Sequence, residues 1–423
     1  MAEGSILTDD FLRELMNVGE VDILIGVPTF NDAKTVGQVV QAIRAGLLKY
    51  FPRHRSVIIN ADGGSKDGTQ DLVRAASISD LQHVSNVSAL RTLHCISTQY
   101  PGGPASGTAL QTILAAGELL RAYASAVVSP DSTSIEPEWM ERLLRPVARD
   151  NFDLVTPVYG RQKSEGLLVR SLVYPMSRAL YAKRVREPYP TEFAFSGRLG
   201  SNFLAQDIWS HEVGHIGAEM YLVISAMAGG FRLAQSFVGT KSRVMDHSSG
   251  DLVFAMRQTV GVLFWSLEQN FPLWSTQTES QPIPTIGAEH EISLEPVPVI
   301  PKRLHEMFVR GVAEIEPVLK SILSAQTLGE LQRAAAVPEG SFQYSDELWV
   351  RTAYEFAASY HKATINRDHI IQALAPLYRG KAYAFLEQNR DATPTEMESN
   401  VEALCQTFER SKPYLLELWN GKK

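Results

Sequence analysis

The first part of the chain alternates short apolar runs with amphipathic stretches. After an amphipathic lead-in helix, Val21–Val27 (VDILIGV) is nearly unbroken in apolar character, the pattern of a strand covered on both faces. The loop PTFND follows, and helical spacing then predicts a helix over Thr35–Leu48. SVIINADGG reads as a second buried strand closing in a turn, with another helix from about Asp67. Leu90–Ile96 predicts a third strand, Ala109–Ala122 a third helix and Ser125–Val128 a fourth strand. Such alternation means βαβ units and a mostly parallel sheet. Ligands of these sheets bind at the carboxyl ends of strands, so chemistry is expected just after each apolar run.

The pattern changes in the second half. Residues 252–271 (LVFAMRQTVGVLFWSLEQN) predict an apolar helix, and the proline-rich stretch at about 275–301 predicts a linker or wrapping loop. Beyond it every periodic segment is helical, and Trp349, Tyr354, Phe356, Tyr378, Phe385 and Trp419 fall on apolar faces as expected core. The expectation is an α/β domain over 1–255 and a helical domain over 256–423.

Composition narrows the class. A chain of 423 residues, 44% hydrophobic and 21% charged, is globular and long enough for two cores. A formal charge of −7 argues against nucleic-acid binding but leaves room for a local basic pocket. Cys95 and Cys405 have no motif spacing, which suits a reducing cytoplasm and leaves one long-range disulfide open. The acidic start lacks the pattern of a signal peptide, and the apolar stretch Tyr221–Phe231 is too short to span a bilayer. A soluble cytoplasmic protein is expected.

The strand-end loops carry the candidate chemistry. Asp62-Gly-Gly-Ser-Lys-Asp-Gly-Thr69 closes the second strand and Asp32 follows the first, so two carboxylates could accept hydrogen bonds from a nucleobase imide or ribose hydroxyl. The plainer reading is a turn in which Asp67 or Thr69 caps the next helix. Ser129-Pro130-Asp131 closes the fourth strand, where Asp131 is a ligand for a hard divalent cation or, more plainly, a helix-capping residue. Asp246-His247 adds an imidazole, a mixed donor set suited to Mn²⁺ or Mg²⁺. His211-Glu212-Val213-Gly214-His215 matches the HExxH zinc-protease pattern. No Glu lies between Glu219 and Glu268 to complete a zinc shell, so the peptidase is the weaker reading.

In order and spacing, PTFND, DGGSKDGT, the segment ending Gly107-Thr108-Ala109-Leu110 and SPDSTSIEPEW resemble the successive signatures of GT-A-fold glycosyltransferases. The chain is most similar in these motifs to mannosylglycerate synthase and the glucosyl- and mannosyl-3-phosphoglycerate synthases. The likeness continues through Tyr159-Gly160-Arg161, Arg198-Leu199-Gly200-Ser201, Gly217-Ala218-Glu219, Asp246-His247 and the helical segment DELWVRTAYEF. It implies a GT-A domain with a helical C-terminal domain, and retaining transfer of a hexosyl group from a nucleotide-diphosphate sugar to glycerate or 3-phosphoglycerate. Pro28, Asn31, Asp32, Asp62, Gly103, Ser129 and Asp131 would line the donor site, with Asp131 and His247 holding Mn²⁺ or Mg²⁺. Glu219 and Asp131 would be the catalytic residues, and Arg161, Arg170, Gly200 and Glu219 would face the acceptor. A surface-charge role is the plainer reading for both arginines.

Three departures stand out. Ser129 replaces the first DxD aspartate, GGPASGTAL lacks the family's loop lysine, and Val169 stands at the acceptor-loop threonine. They keep open a non-catalytic nucleotide-sugar-binding protein. The helical domain would shape the acceptor site or build a homodimer.

Overall fold

The computed structural model describes residues 6–81, 93–241, 252–287 and 302–421. Eight strands form one sheet in the order β3-β2-β1-β4-β6-β5-β7-β8: β1 Ile23–Thr29, β2 Ser56–Asp62, β3 His94–Gln99, β4 Ala124–Val127, β5 Leu154–Gly160, β6 Phe193–Ser196, β7 Leu233–Thr240 and β8 Thr285–Ile286. β3, β2, β1 and β4 run parallel, β6 lies antiparallel to both β4 and β5, and β8 is parallel to β7. The protein is thus mixed α/β with a mostly parallel sheet.

Burial explains the central strands. Every residue of β2 and all but Pro28 of β1 are buried, as unbroken apolar runs require. Helix α1 Asp9–Val18 precedes β1, and helices α2 Val36–Tyr50, α3 Thr69–Leu81, α4 Ser106–Leu119 and α5 Glu138–Asp150 connect the strands. On one side, Val36, Val39, Val40 and Ile43 of α2 join Trp139, Met140, Leu143 and Leu144 of α5 in one core with the strands. Across the sheet, α4 presses so closely on β1 that a Cβ on Gly26 would lie 2.5 Å from Ile113 Cδ1. Glycine at 26 is therefore a packing requirement.

The chain forms two compact units that are not contiguous in sequence. The first takes the described residues up to Tyr159, from Tyr189 to Lys241 and from Ile283 to Gly287, and so holds the sheet. The second takes Gly160–Pro188, 252–282 and 302–421 and is helical. A single boundary near 255 therefore does not describe the chain. Residues 160–188 join the helical unit because Tyr174 packs with Phe385, Met397, Val401 and Cys405. Within the expected linker at 275–301, β8 returns to the sheet through Gln235 and Ser236 of β7.

In the helical unit Trp349, Tyr354, Phe356, Phe385, Tyr378 and Trp419 are buried, as their helical spacing predicts. Gly311 meets Pro376 and Gly380 meets Phe308, letting the helices Lys302–Glu314 and Arg367–Gln388 approach closely. Cys95 and Cys405 are both free thiols. Among the described residues no helix is long and apolar enough to cross a membrane.

Candidate functional site

The strand order reverses direction at the β1–β4 pair: β2 and β3 extend on one side and the later strands on the other. A crevice outside the carboxyl ends of two such strands is the general ligand position in open α/β sheets. β4 stops opposite Gly26, while β1 continues through Pro28 to Thr29. Pro28, which has no N–H to donate, thus sits where the ladder toward β4 has ended.

After β1 the chain turns at Asn31, whose φ of 60° is left-handed. Phe30 is left 45% exposed, unusual for so large an aromatic. Asp32 starts α2 by accepting bonds from Thr35 and Val36 N–H with its carbonyl, and its carboxylate accepts the Phe30 N–H at 2.8 Å. Burial, opposed by that bond and reinforced by the charges of Asp131, Asp67 and Asp62, raises the Asp32 pKa from 3.8 to about 6. Four aspartates from three loops therefore lie within electrostatic reach of one another.

Asp62 and Asn31 have other duties. The Asp62 carboxylate accepts five hydrogen bonds, from Thr29 Oγ1, Ser65 Oγ, the N–H groups of Gly64 and Ser65, and Gln70 Nε2. Burial opposes its ionisation, but the bonds from Ser65, Thr29 and Gln70 outweigh it and hold the pKa below the ordinary value. Asn31 accepts the Lys66 N–H at 3.0 Å and donates its own N–H to Ser65 Oγ at 2.8 Å. Both were expected in the nucleotide and donor site, and the Asp62 carboxylate, with the Asn31 N–H and Oδ1, also builds the loop. Asp67 caps α3 by accepting the Thr69 N–H at 3.1 Å, the plainer of its two readings. Asp32 is the carboxylate of this group with the most capacity left.

That asymmetry has a testable consequence for stability. Because the folded pKa of Asp32 lies above its ordinary value, the folded state holds the proton more tightly than the unfolded chain. Stability is then favoured below the ordinary pKa and falls as pH rises toward about 6. Asp32→Asn is expected to raise the thermal midpoint by a few degrees at neutral pH and to flatten its decline across this window. Unfolding followed by circular dichroism across pH checks it, and an unchanged pH profile would contradict the assignment.

At the end of β4, Ser129 Oγ donates to Asp131 Oδ1 at 2.6 Å. The serine that replaces a carboxylate thus orients the remaining one rather than leaving a gap. Beyond it Ser132 reaches a buried cluster of Glu192, Tyr159 and Lys241 that no local sequence pattern announces. Among the described residues no group of three His, Cys, Asp or Glu side chains converges as a complete metal site. His247 and Asp246 lie outside the described residues.

The glycine-rich loop occupies the same sheet edge, after β3. Gly102 and Gly103 adopt φ of 92° and 81°, which glycine alone takes without strain. Tyr100 Oη accepts the Ala105 N–H at 3.1 Å, closing the loop onto the start of α4. Ser106 Oγ donates to Glu219 Oε2 at 3.3 Å, and Glu219 sits in the first turn of the helix Ala218–Ala228. Burial raises the Glu219 pKa, which the Ser106 bond only partly offsets. The charges of Asp62 and Glu219 both act on Tyr100, linking the two halves of this edge.

The HExxH segment has a different geometry from a zinc helix. Its helix, Glu212–Ile216, has five residues, and His211 precedes it with extended φ and ψ of −101° and 156°. The two imidazoles therefore do not share one face of a helical turn. Gly214 is needed for packing: a Cβ there would lie 2.3 Å from the Ile208 carbonyl oxygen.

The remaining expected residues lie elsewhere. Gly200 faces Phe195 and Leu114 and lines a cavity of about 720 Å³ with Arg121, Arg198 and Arg232. This cavity opens beside the start of β4 and the end of β6, the opposite edge of the sheet, so Gly200 does not join the residues above. Arg121 and Arg198 are already paired with Glu20 and Asp153.

Arg161 and Arg170 belong to the helical unit. Arg161 pairs with Glu187 at 2.9 Å, and Arg170 donates to the carbonyls of Gln162 and Arg161. Burial, then the charge of Arg161, lowers the Arg170 pKa to about 10. Arg186, which sequence reasoning did not single out, lies within electrostatic reach and pairs with Glu398 at 2.5 Å. Neither arginine is plain surface charge.

No family model matches the chain, and no curated protein matches it. Among solved structures it is similar to glucosyl-3-phosphoglycerate synthase from Mycobacterium tuberculosis in complex with Mg²⁺ and uridine diphosphate, at 20% identity and a TM-score of 0.44, covering 62% of this chain and 83% of that one. The same enzyme in complex with Mn²⁺, uridine diphosphate and glucosyl-3-phosphoglycerate gives 18% identity and a TM-score of 0.43, covering 64% and 87%.

Proposed function

We propose that this chain is a metal-dependent glycosyltransferase of the GT-A type. It would move a hexosyl group from a nucleotide-diphosphate sugar to a small acidic hydroxy acid of the glycerate or 3-phosphoglycerate class, with retention. The observation that carries the reading is the placement of Asp32 and Asp131 after β1 and β4, at the point where the strand order reverses. Phe30 offers an aromatic face for a nucleobase, and Asp32 a polar group at its edge. The N-terminal turn of α4, entered through Gly102 and Gly103, suits the diphosphate.

Asp131, oriented by Ser129, would hold Mn²⁺ or Mg²⁺ together with the donor phosphates. The donor set fits such a cation: hard oxygen ligands, with few from the protein because phosphates supply the rest. When bound, the cation neutralises charge that builds on the diphosphate as the nucleotide leaves. Glu219, whose burial raises its pKa, would exchange a proton with the sugar or acceptor. The guanidinium groups of Arg161, Arg170 and Arg186 suit a carboxylate or phosphate on the acceptor.

Glu219→Gln keeps the shape and a donor but removes the titrating group. Turnover is expected to fall about a hundredfold, while the affinity for nucleoside diphosphate stays within about twofold. Isothermal titration together with product assay separates the two. Unchanged turnover would remove Glu219 from the mechanism.

A further inference from the structure

At this sheet edge one acidic side chain outside the strand-end motifs is as fully buried as Asp62. Glu192 is 0% exposed and immediately precedes β6, whose first residue, Phe193, is in register with Val127 at the end of β4. Its carboxylate gathers side chains from each neighbouring segment. Ser132 donates to Oε1; Tyr159, near the end of β5, and Thr191 donate to Oε2. Lys241, one residue beyond β7, pairs with Oε2 at 2.9 Å and also donates to Thr191. The ammonium lies 4.5 Å from the Tyr159 ring centroid, against which Trp139 packs.

A buried ion pair is a costly way to tie strand ends together. Desolvating the two charges removes several kcal/mol per ion, and apolar residues of similar volume often do as well or better. The cluster sits at the strand ends, joined to the apolar core through Tyr159 and Trp139. Ser132, the residue after Asp131, links it to the candidate site. Ser129 fixes the Asp131 carboxylate from one side and Ser132 anchors its main chain from the other.

We infer that the Glu192–Lys241 pair is a positioning device for Asp131, acting through Ser132 to hold that carboxylate where it receives a divalent cation. The inference rests on the proposed role of Asp131 as the metal ligand. Residues of this kind orient a ligand without touching the ion, and their loss weakens metal affinity by about tenfold or more. Ser132→Ala breaks the link while leaving the ion pair intact; Lys241→Met breaks the pair itself.

The test titrates Mn²⁺ into the purified full chain with UDP or GDP present, reading protein-bound Mn²⁺ by electron paramagnetic resonance against a protein-free Mn²⁺–nucleotide control, with thermal unfolding run in parallel. Ser132→Ala is expected to weaken Mn²⁺ binding about tenfold with its midpoint within about 2 °C of wild type, and Lys241→Met at least as much. If Lys241→Met fails to fold, the serine variant decides. Wild-type affinity in Ser132→Ala, with binding lost in Asp131→Ala, overturns the positioning role and leaves the metal reading standing. No Mn²⁺ binding by the wild type, or none that depends on Asp131, overturns both.

Discussion

Asp131→Ala is expected to lower donor-dependent release of nucleoside diphosphate by a hundredfold to about a thousandfold at saturating Mn²⁺. The side chain lies at the end of β4 with its carboxylate held by Ser129, and Asp32 lies within reach of its charge. Alanine would remove the proposed oxygen ligand while leaving the strand end in place, because the backbone bonds at Thr133 and Ile135 do not use the side chain. Asp131→Asn should be intermediate, keeping an oxygen ligand but losing the charge. A steady-state assay with Mn²⁺ varied checks both, and equal rates in Asp131→Ala and wild type would exclude the residue from the chemistry.

The second large effect is on stability, far from any proposed chemistry. Arg178 is 1% exposed in its side chain, yet it carries a full charge. Two parallel bonds join it to Glu402 at 2.6 and 2.8 Å, and Nε reaches Glu409 at 2.8 Å and Ser280 at 3.1 Å. The arginine fastens the helix Tyr174–Tyr181 to Pro394–Trp419 inside the helical unit. Arg178→Ala leaves Glu409 and Glu402 without their cation, and both carboxylates, 20% and 40% exposed, can turn to water. The loss is then below the ~3–5 kcal/mol of a fully buried pair, about 2 kcal/mol, and the urea midpoint should fall. Arg178→Ala within about 1 kcal/mol of wild type would show that the pair only offsets its own desolvation.

Much of the sheet is legible in the sequence because its central strands are covered on both faces. Val21–Val27 and SVIINADGG predict β1 and β2 to within two residues, since nothing but buried strand suits such runs. Of the expected strand Leu90–Ile96, residues 90–92 lie outside the described residues; β3 runs His94–Gln99, and its polar end, with Ser97 bonded to Asn60, carries no apolar signal. β6 is four residues long and inserted antiparallel, so neither its length nor its direction can be read from a βαβ rhythm. β7 alternates apolar residues with Gln235 and Ser236, which are buried by pairing with β8 and not by composition.

The site is legible by position more than by role. Residues after β1, β2 and β4 do cluster, because topology alone brings strand ends together. What each carboxylate does depends on hydrogen bonds that sequence cannot count. Asp62 looks like Asp32 on the page, yet five donors occupy the first and one the second. Glu192 and Lys241 gave no signal at all, being single charged residues 49 positions apart. The HExxH pattern misleads in the other direction, since its first histidine falls outside the helix that would give the motif meaning.

The central claim is tested most directly by measuring nucleoside-diphosphate release from UDP-, GDP- and ADP-sugars, each with Mg²⁺, Mn²⁺ or no metal and with or without glycerate or 3-phosphoglycerate. The account predicts release from one donor that needs both the metal and the acceptor, and that Asp131→Ala abolishes. Normal binding of a nucleotide sugar with no release under any of these conditions would contradict it and leave a binding protein in its place.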